Sequence, residues 1–73
     1  MIAKALSVGL AIVGADASLD DDADLGLDSL QVVSLVDHLE AELGVTFDGA
    51  DVTRENFRSR ASLAALLARK GAA

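Results

Sequence analysis

The sequence DSLQVVSLVDHLEAELG, residues 28–44, decides the fold. Its apolar residues recur three or four positions apart, the spacing that gathers side chains on one face of an α-helix. This apolar stripe consists of Val32, Leu35, Val36, Leu39 and Leu43. Asp28 is a favoured helix N-cap, Gln31 completes a capping-box pattern, and Gly44 is suited to end a helix. The pattern predicts an amphipathic helix over residues 29–43 that buries one face against the rest of the chain.

Two further helices are predicted on either side of this one. A first helix covers residues 2–13 and stops at Gly14, and a last helix covers residues 61–70 and stops at Gly71. The apolar face of the first helix consists of Ile2, Leu6, Leu10 and Val13, and that of the last helix of Leu63, Leu66 and Leu67. Both faces have helical spacing, so we expect each to be the buried side of its helix.

The remaining segments are predicted to connect these helices. Residues 15–28 are rich in aspartate and form a long first loop. A short third helix is expected over residues 53–58, where Thr53 could cap it and Phe57 could anchor it, and Phe47 should fold back onto the core. The predicted fold class is therefore all-α, a small four-helix bundle with three main helices, a short third helix and a long first loop.

The size of the chain limits what it can do. Its 73 residues are expected to form a single domain, 1–73, with a small core and no disulfide, because the chain contains no cysteine. Such a domain has no room for a cleft with the usual set of catalytic groups. We therefore expect a carrier, adaptor or binding module and not an enzyme.

Charge is divided unevenly along the chain, although the net charge is −6. Residues 1–51 hold eleven Asp and Glu against Lys4 alone, whereas residues 52–73 hold Glu55 against five Arg and Lys. The acidic bulk argues against nucleic acid or an anionic membrane as a partner and favours a basic docking surface, although solubility alone could also explain it. The apolar N-terminal run is too short to cross a membrane.

Ser29, at the predicted start of the central helix, allows several interpretations. It could be a second capping residue, but Asp28 already serves as the cap. It could be a nucleophile, but the one histidine, His38, lies nine residues further along the same helix. That separation is roughly 13 Å along the axis and half a rotation away, so His38 cannot act as its base.

A calcium loop is a third interpretation of this region. Asp20, Asp22 and Asp24 have the spacing of the first three ligands of an EF-hand loop. The positions that should be Gly and Glu are Leu25 and Gln31, so no specific metal site is predicted. The fourth interpretation is attachment, because an exposed serine at a helix N-terminus suits a phosphodiester.

Two stretches resemble a known family. DLGLDSLQVVSLVDHLEAELG, residues 24–44, is similar to the region around the modified serine of acyl and peptidyl carrier proteins, and TRENFRSRASLAALLA, residues 53–68, is similar to their last two helices. The resemblance extends over about residues 16–70. It implies that a phosphopantetheinyl transferase, using coenzyme A and magnesium, joins 4′-phosphopantetheine to Ser29 Oγ. The terminal thiol of this arm would hold an acyl or aminoacyl group as a thioester, which explains how a chain without cysteine could carry one.

The resemblance also implies roles for the neighbours of Ser29. Asp28 matches the acidic residue that helps the transferase and its magnesium. Leu30 and Val33 match apolar positions that touch partner enzymes, and neither lies on the apolar stripe, so both should be at least partly exposed. Packing at the edge of the core is the alternative role for them. Glu40 matches an acidic position late in the helix. Asp37 stands where carriers of fatty acid synthesis tend to be apolar, and we expect it to complete the partner surface.

Several residues depart from the pattern of carriers that serve fatty acid synthesis. Gln31 and Ser34 stand where those carriers have acids, and Asp21 and Arg60 stand where they have apolar residues. These departures favour a freestanding carrier of polyketide, nonribosomal-peptide or antibiotic biosynthesis. We also expect a cytoplasmic monomer. Its expected partners are an adenylating ligase or acyltransferase and a ketosynthase, condensation or tailoring enzyme. An aminoacyl carrier, including the D-alanyl type, and a helical adaptor without a prosthetic group remain the alternatives.

Overall fold

The computed structural model describes residues 2–16 and 20–71. Within these ranges it has three helices and no strand: α1 (Ile2–Ile12), α2 (Ser29–Leu43) and α3 (Arg60–Arg69). α1 packs against both α2 and α3. The all-helical class is confirmed, and α2 spans the residues predicted for it because its caps and its apolar stripe are all local signals.

The predicted short third helix is wrong. Residues 53–58 make a single turn, in which the Phe57 N–H donates to the Thr53 carbonyl at 3.1 Å. Thr53 does cap this turn, since its hydroxyl accepts the Asn56 N–H at 3.1 Å. The turn cannot lengthen because Ser59 is extended, with φ −141° and ψ 166°, and begins the next helix. So short a segment gains too few hydrogen bonds to offset the entropy cost of starting a helix.

α3 begins at Arg60, one residue earlier than predicted, because Ser59 is its N-cap. The Ser59 hydroxyl accepts the Ser62 N–H at 3.1 Å, and the Ser62 hydroxyl accepts the Ser59 N–H at 3.0 Å. Ser59 is almost completely buried, at 1% exposure, and the reciprocal pair satisfies its polar atoms. The capping box was not predicted because serine replaces the usual Glu or Gln at its second position.

The core lies between the three helices. Its buried apolar residues are Ala5, Leu6, Leu10, Leu25, Leu35, Leu39, Phe57, Leu63, Leu66 and Leu67. Val32, Val36, Leu43 and Phe47 are partly buried against this cluster. The predicted apolar faces of all three helices and the inward folding of Phe47 are therefore confirmed.

The acidic first loop is tied to the segment that leads into α3. The Leu25 N–H donates to the Arg58 carbonyl at 2.7 Å, and the Ala61 N–H donates to the Asp21 carbonyl at 2.9 Å. The Asp21 carboxylate also pairs with the Arg60 guanidinium at 3.6 Å. Residues 17–19 of the predicted loop lie outside the described residues. None of the helices that the structure describes has the length and apolar character needed to cross a bilayer.

Candidate functional site

The N-terminus of α2 is built by a reciprocal capping box. The Asp28 carboxylate oxygen Oδ1 accepts the Gln31 N–H at 2.8 Å, and the Gln31 side-chain oxygen accepts the Asp28 N–H at 2.9 Å. Ser29 is the first residue of the helix, and it is exposed. Its hydroxyl makes no hydrogen bond with any residue that the structure describes. Asp28 caps the helix as predicted, so the Ser29 hydroxyl is not needed for capping.

The backbone around Ser29 favours negative charge. The N–H groups of Ser29 and Leu30 come before the first intrahelical bond, and within the described ranges neither has a partner. These two donors point toward the start of the helix, where the helix dipole adds a partial positive charge. An oxyanion attached to the Ser29 oxygen would therefore be stabilised at this end of the helix.

A groove of about 600 Å³ opens beside Ser29. One wall comes from α2 and includes Val32 and Val33, and the opposite wall comes from the segment after α2. That opposite wall includes Val52, Thr53, Arg54, Phe57 and Arg58. The lining of the groove thus combines apolar side chains with charged ones, and its two arginines belong to the segment after α2. The sequence did not predict this second wall, since it depends on how residues 52–58 fold across the helix.

The predicted partner-contacting residues differ in how exposed they are. Leu30 is 79% exposed and Val33 is 60% exposed, as their position off the apolar stripe predicts. Asp37 is also exposed. Glu40, by contrast, is half-buried. Its Oε2 atom accepts the Phe47 N–H at 2.8 Å, so its carboxylate also holds the loop after α2 in place.

The histidine and the acidic loop lie apart from this site. His38 lines a second cavity with Lys4 and Glu42, between α1 and α2, and it is not among the residues around the Ser29 groove. Asp24 uses its Oδ1 atom to accept the Gly26 N–H at 2.8 Å. In the part of the chain that the structure describes, no three acidic or histidine side chains are grouped so that they could hold a metal ion.

A comparison with protein-family models decides what kind of site this is. The model described as "Phosphopantetheine attachment site" matches residues 1–67. The chain belongs to this family. Its members carry covalently attached 4′-phosphopantetheine, and carrier domains as a family are not catalytic. Carriers of this family meet phosphopantetheinyl transferases and biosynthetic enzymes. A search of curated proteins gives no match.

Proposed function

We propose that the Ser29 oxygen carries the 4′-phosphopantetheine of this carrier as a phosphodiester. The observation that carries the proposal is an exposed serine hydroxyl that has no partner among the described residues, at a helix N-terminus, beside an open groove. Ser34 is also exposed, but it lies inside α2, where the backbone N–H groups are already bonded. Ser59 and Ser62 are engaged in the α3 cap.

The residues around Ser29 fit such an arm. The free N–H groups of Ser29 and Leu30 lie at the end of the helix that favours an anion, and the groove leaves space for a chain leaving the serine. When bound, the arm supplies a thiol that holds an acyl or aminoacyl group as a thioester. The Asp28 carboxylate caps the helix through Oδ1, and its other oxygen has no partner among the described residues. We assign that oxygen to the transferase and its magnesium.

We further propose that the carrier works in the cytoplasm in polyketide or nonribosomal-peptide biosynthesis. The first turn of α2 contains no acid, and the surface next to Ser29 is apolar through Leu30 and Val33. Asp37 and Glu40 supply negative charge only further along the helix. Such a surface suits partners that combine an apolar recess with a basic rim, and binding should be weak enough for rapid release.

Loading tests the attachment site. The protein is incubated with coenzyme A and a promiscuous phosphopantetheinyl transferase, and its intact mass is measured. We expect the wild type and Ser34→Ala to gain one phosphopantetheine, and Ser29→Ala to gain none while its helical circular dichroism is unchanged. An unmodified wild type, or a modified Ser29→Ala, would contradict the proposal.

The cargo class is tested separately with the loaded protein. A panel of adenylating ligases for amino acids and for carboxylic acids is offered to the thiol, and the mass of each product is measured. Transfer of carboxylic acids or of nonribosomal-peptide amino acids supports the proposed pathway type. Exclusive transfer of D-alanine would replace it with the D-alanyl carrier alternative.

A further inference from the structure

The side chain of Gln31 joins two helices. Its oxygen Oε1 accepts the Asp28 N–H at 2.9 Å, and its nitrogen Nε2 donates to the Val13 carbonyl at 3.0 Å. The Gln31 backbone N–H donates in turn to the Asp28 carboxylate at 2.8 Å. The Gln31 side chain is half-buried: its bond to Val13 is partly shielded from water, whereas its bond to Asp28 is exposed.

Each of these partners lies at a point where the chain changes direction. Val13 directly follows α1, and its carbonyl accepts no hydrogen bond within the helix. Asp28 directly precedes α2. Gln31 therefore fastens the end of α1 to the beginning of α2, and it closes the long loop between them.

The chemistry of the two bonds requires a side-chain amide. One partner is a donor N–H and the other is an acceptor carbonyl, and only an amide of this length offers both an acceptor and a donor at its end. A carboxylate could accept from Asp28 but could not donate to Val13, and a thioether could do neither.

We infer that Gln31 is a positioning residue for loading, which presents Ser29 to the transferase. We call the Gln31 side chain, with its bonds to Asp28 and Val13, the clamp. Ser29 lies between Asp28 and Gln31, so the clamp fixes the direction of the first turn of α2 relative to α1. Without the clamp, this turn samples other directions and the docked orientation is populated less often. The inference rests on the proposed function of Ser29.

The clamp itself is tested on the wild type by amide hydrogen exchange, corrected for intrinsic rates. The Asp28 N–H should exchange several-fold more slowly than the N–H groups of Ser29 and Leu30, which serve as internal controls because they have no partner. Equal exchange at the three positions would overturn the inference, and this result does not depend on any variant folding.

Its role in loading is tested by transferase kinetics with Gln31→Met, which keeps the length of the side chain and loses both bonds. The matched control is Ser34→Ala, an exposed position on the same helix. We expect the KM for the carrier to rise about 3- to 10-fold in Gln31→Met with kcat nearly unchanged, and neither value to change in Ser34→Ala. Gln31→Glu, which keeps only the acceptor, should not restore the KM.

An unchanged KM in folded Gln31→Met, or a fall in kcat alone, would overturn the positioning role. Should Gln31→Met be unfolded at the assay temperature, Gln31→Glu takes its place, because it loses only the bond to Val13, and an unchanged KM in that variant would likewise overturn the positioning role. Failure of the wild type to load would instead count against the proposed function, and it leaves the exchange measurement intact.

Discussion

Gly9 of α1 lies directly against Leu35 of α2. A Cβ atom built on Gly9 would come within 2.7 Å of Leu35 Cδ1 and within 2.9 Å of His38 Cδ2. Since Leu35 is fully buried, it has little space into which it could move. Gly9 therefore sets how closely α1 approaches the helix that begins with Ser29.

Gly9→Ala should destabilise the protein, although alanine is the better helix former. Overpacking at a buried contact costs about 1–3 kcal/mol, whereas the helix propensity gained is at most about 1 kcal/mol. The free energy of unfolding, measured by urea denaturation, should therefore fall. Gly49→Ala is the matched control, because a Cβ there meets nothing within 4 Å and should leave stability unchanged or slightly higher. A more stable Gly9→Ala would contradict this account of the helix contact.

The Asp51 carboxylate anchors Lys70, which lies near the C-terminal end of the described residues. It accepts a hydrogen bond from Lys70 Nζ at 2.5 Å and from the Asp48 N–H at 3.0 Å. The hydrogen bond from Lys70 is the main cause that holds the pKa of Asp51 below the ordinary value of 3.8, with the Asp48 backbone second. A lowered pKa in the folded state stabilises the protein above the unfolded value, and this stabilisation is lost as the pH falls through the folded value.

Asp51→Asn should therefore be less stable than the wild type at neutral pH. The difference should shrink as the pH falls below 3.8, where the carboxylate is protonated first in the unfolded chain and then, at its lowered pKa, in the folded protein. Urea unfolding at several pH values measures it, and Asp37→Asn, at an exposed position on α2, should show a smaller difference throughout. A difference between Asp51→Asn and wild type that does not change with pH would show that the charge of Asp51 is not the cause.

Asp28 has two proposed roles that different substitutions separate. Asparagine caps helices about as well as aspartate, so Asp28→Asn should keep the free energy of unfolding near that of the wild type. Its loading rate should fall, because the carboxylate proposed to assist magnesium is gone. Asp28→Ala should also lose about 0.5–2 kcal/mol of stability. If Asp28→Asn loads at the wild-type rate, Asp28 caps the helix and has no role in loading.

Leu30 should matter to partners and not to the fold. With 79% of its surface exposed, its truncation to alanine should change stability by no more than about 0.5 kcal/mol. It should nevertheless weaken binding to the transferase, measured as a higher KM. Val8→Ala, at a partly exposed apolar position on α1, is the control for loss of apolar surface elsewhere. An equal effect of both variants on KM would argue against a docking role specific to Leu30.

Local signals allowed much of the fold to be predicted from the sequence. The cap at Asp28 and the stripe from Val32 to Leu43 placed α2 correctly, and they also implied that Ser29 and Leu30 face solvent. The turn at residues 53–58 was mistaken for a helix because its length is limited by the extended conformation of Ser59, which an apolar pattern does not reveal.

Contacts between distant segments were beyond the reach of such signals. Asp21 and Arg60 each depart from the family pattern, and only the structure shows that they pair with each other. The bond from Gln31 to Val13 likewise depends on where α1 ends relative to α2. The membership of Val52 in the groove wall depends on a chain reversal after α2.

The central claim, that Ser29 bears the prosthetic group, is tested most directly by locating the group on the protein purified from its own cells. Cleavage before Asp28 and Asp37 releases a peptide of residues 28–36, which contains Ser29 and Ser34. Fragmentation of this peptide should place one phosphopantetheine on Ser29. A modification found on Ser34, or on a peptide from another part of the chain, would contradict the account.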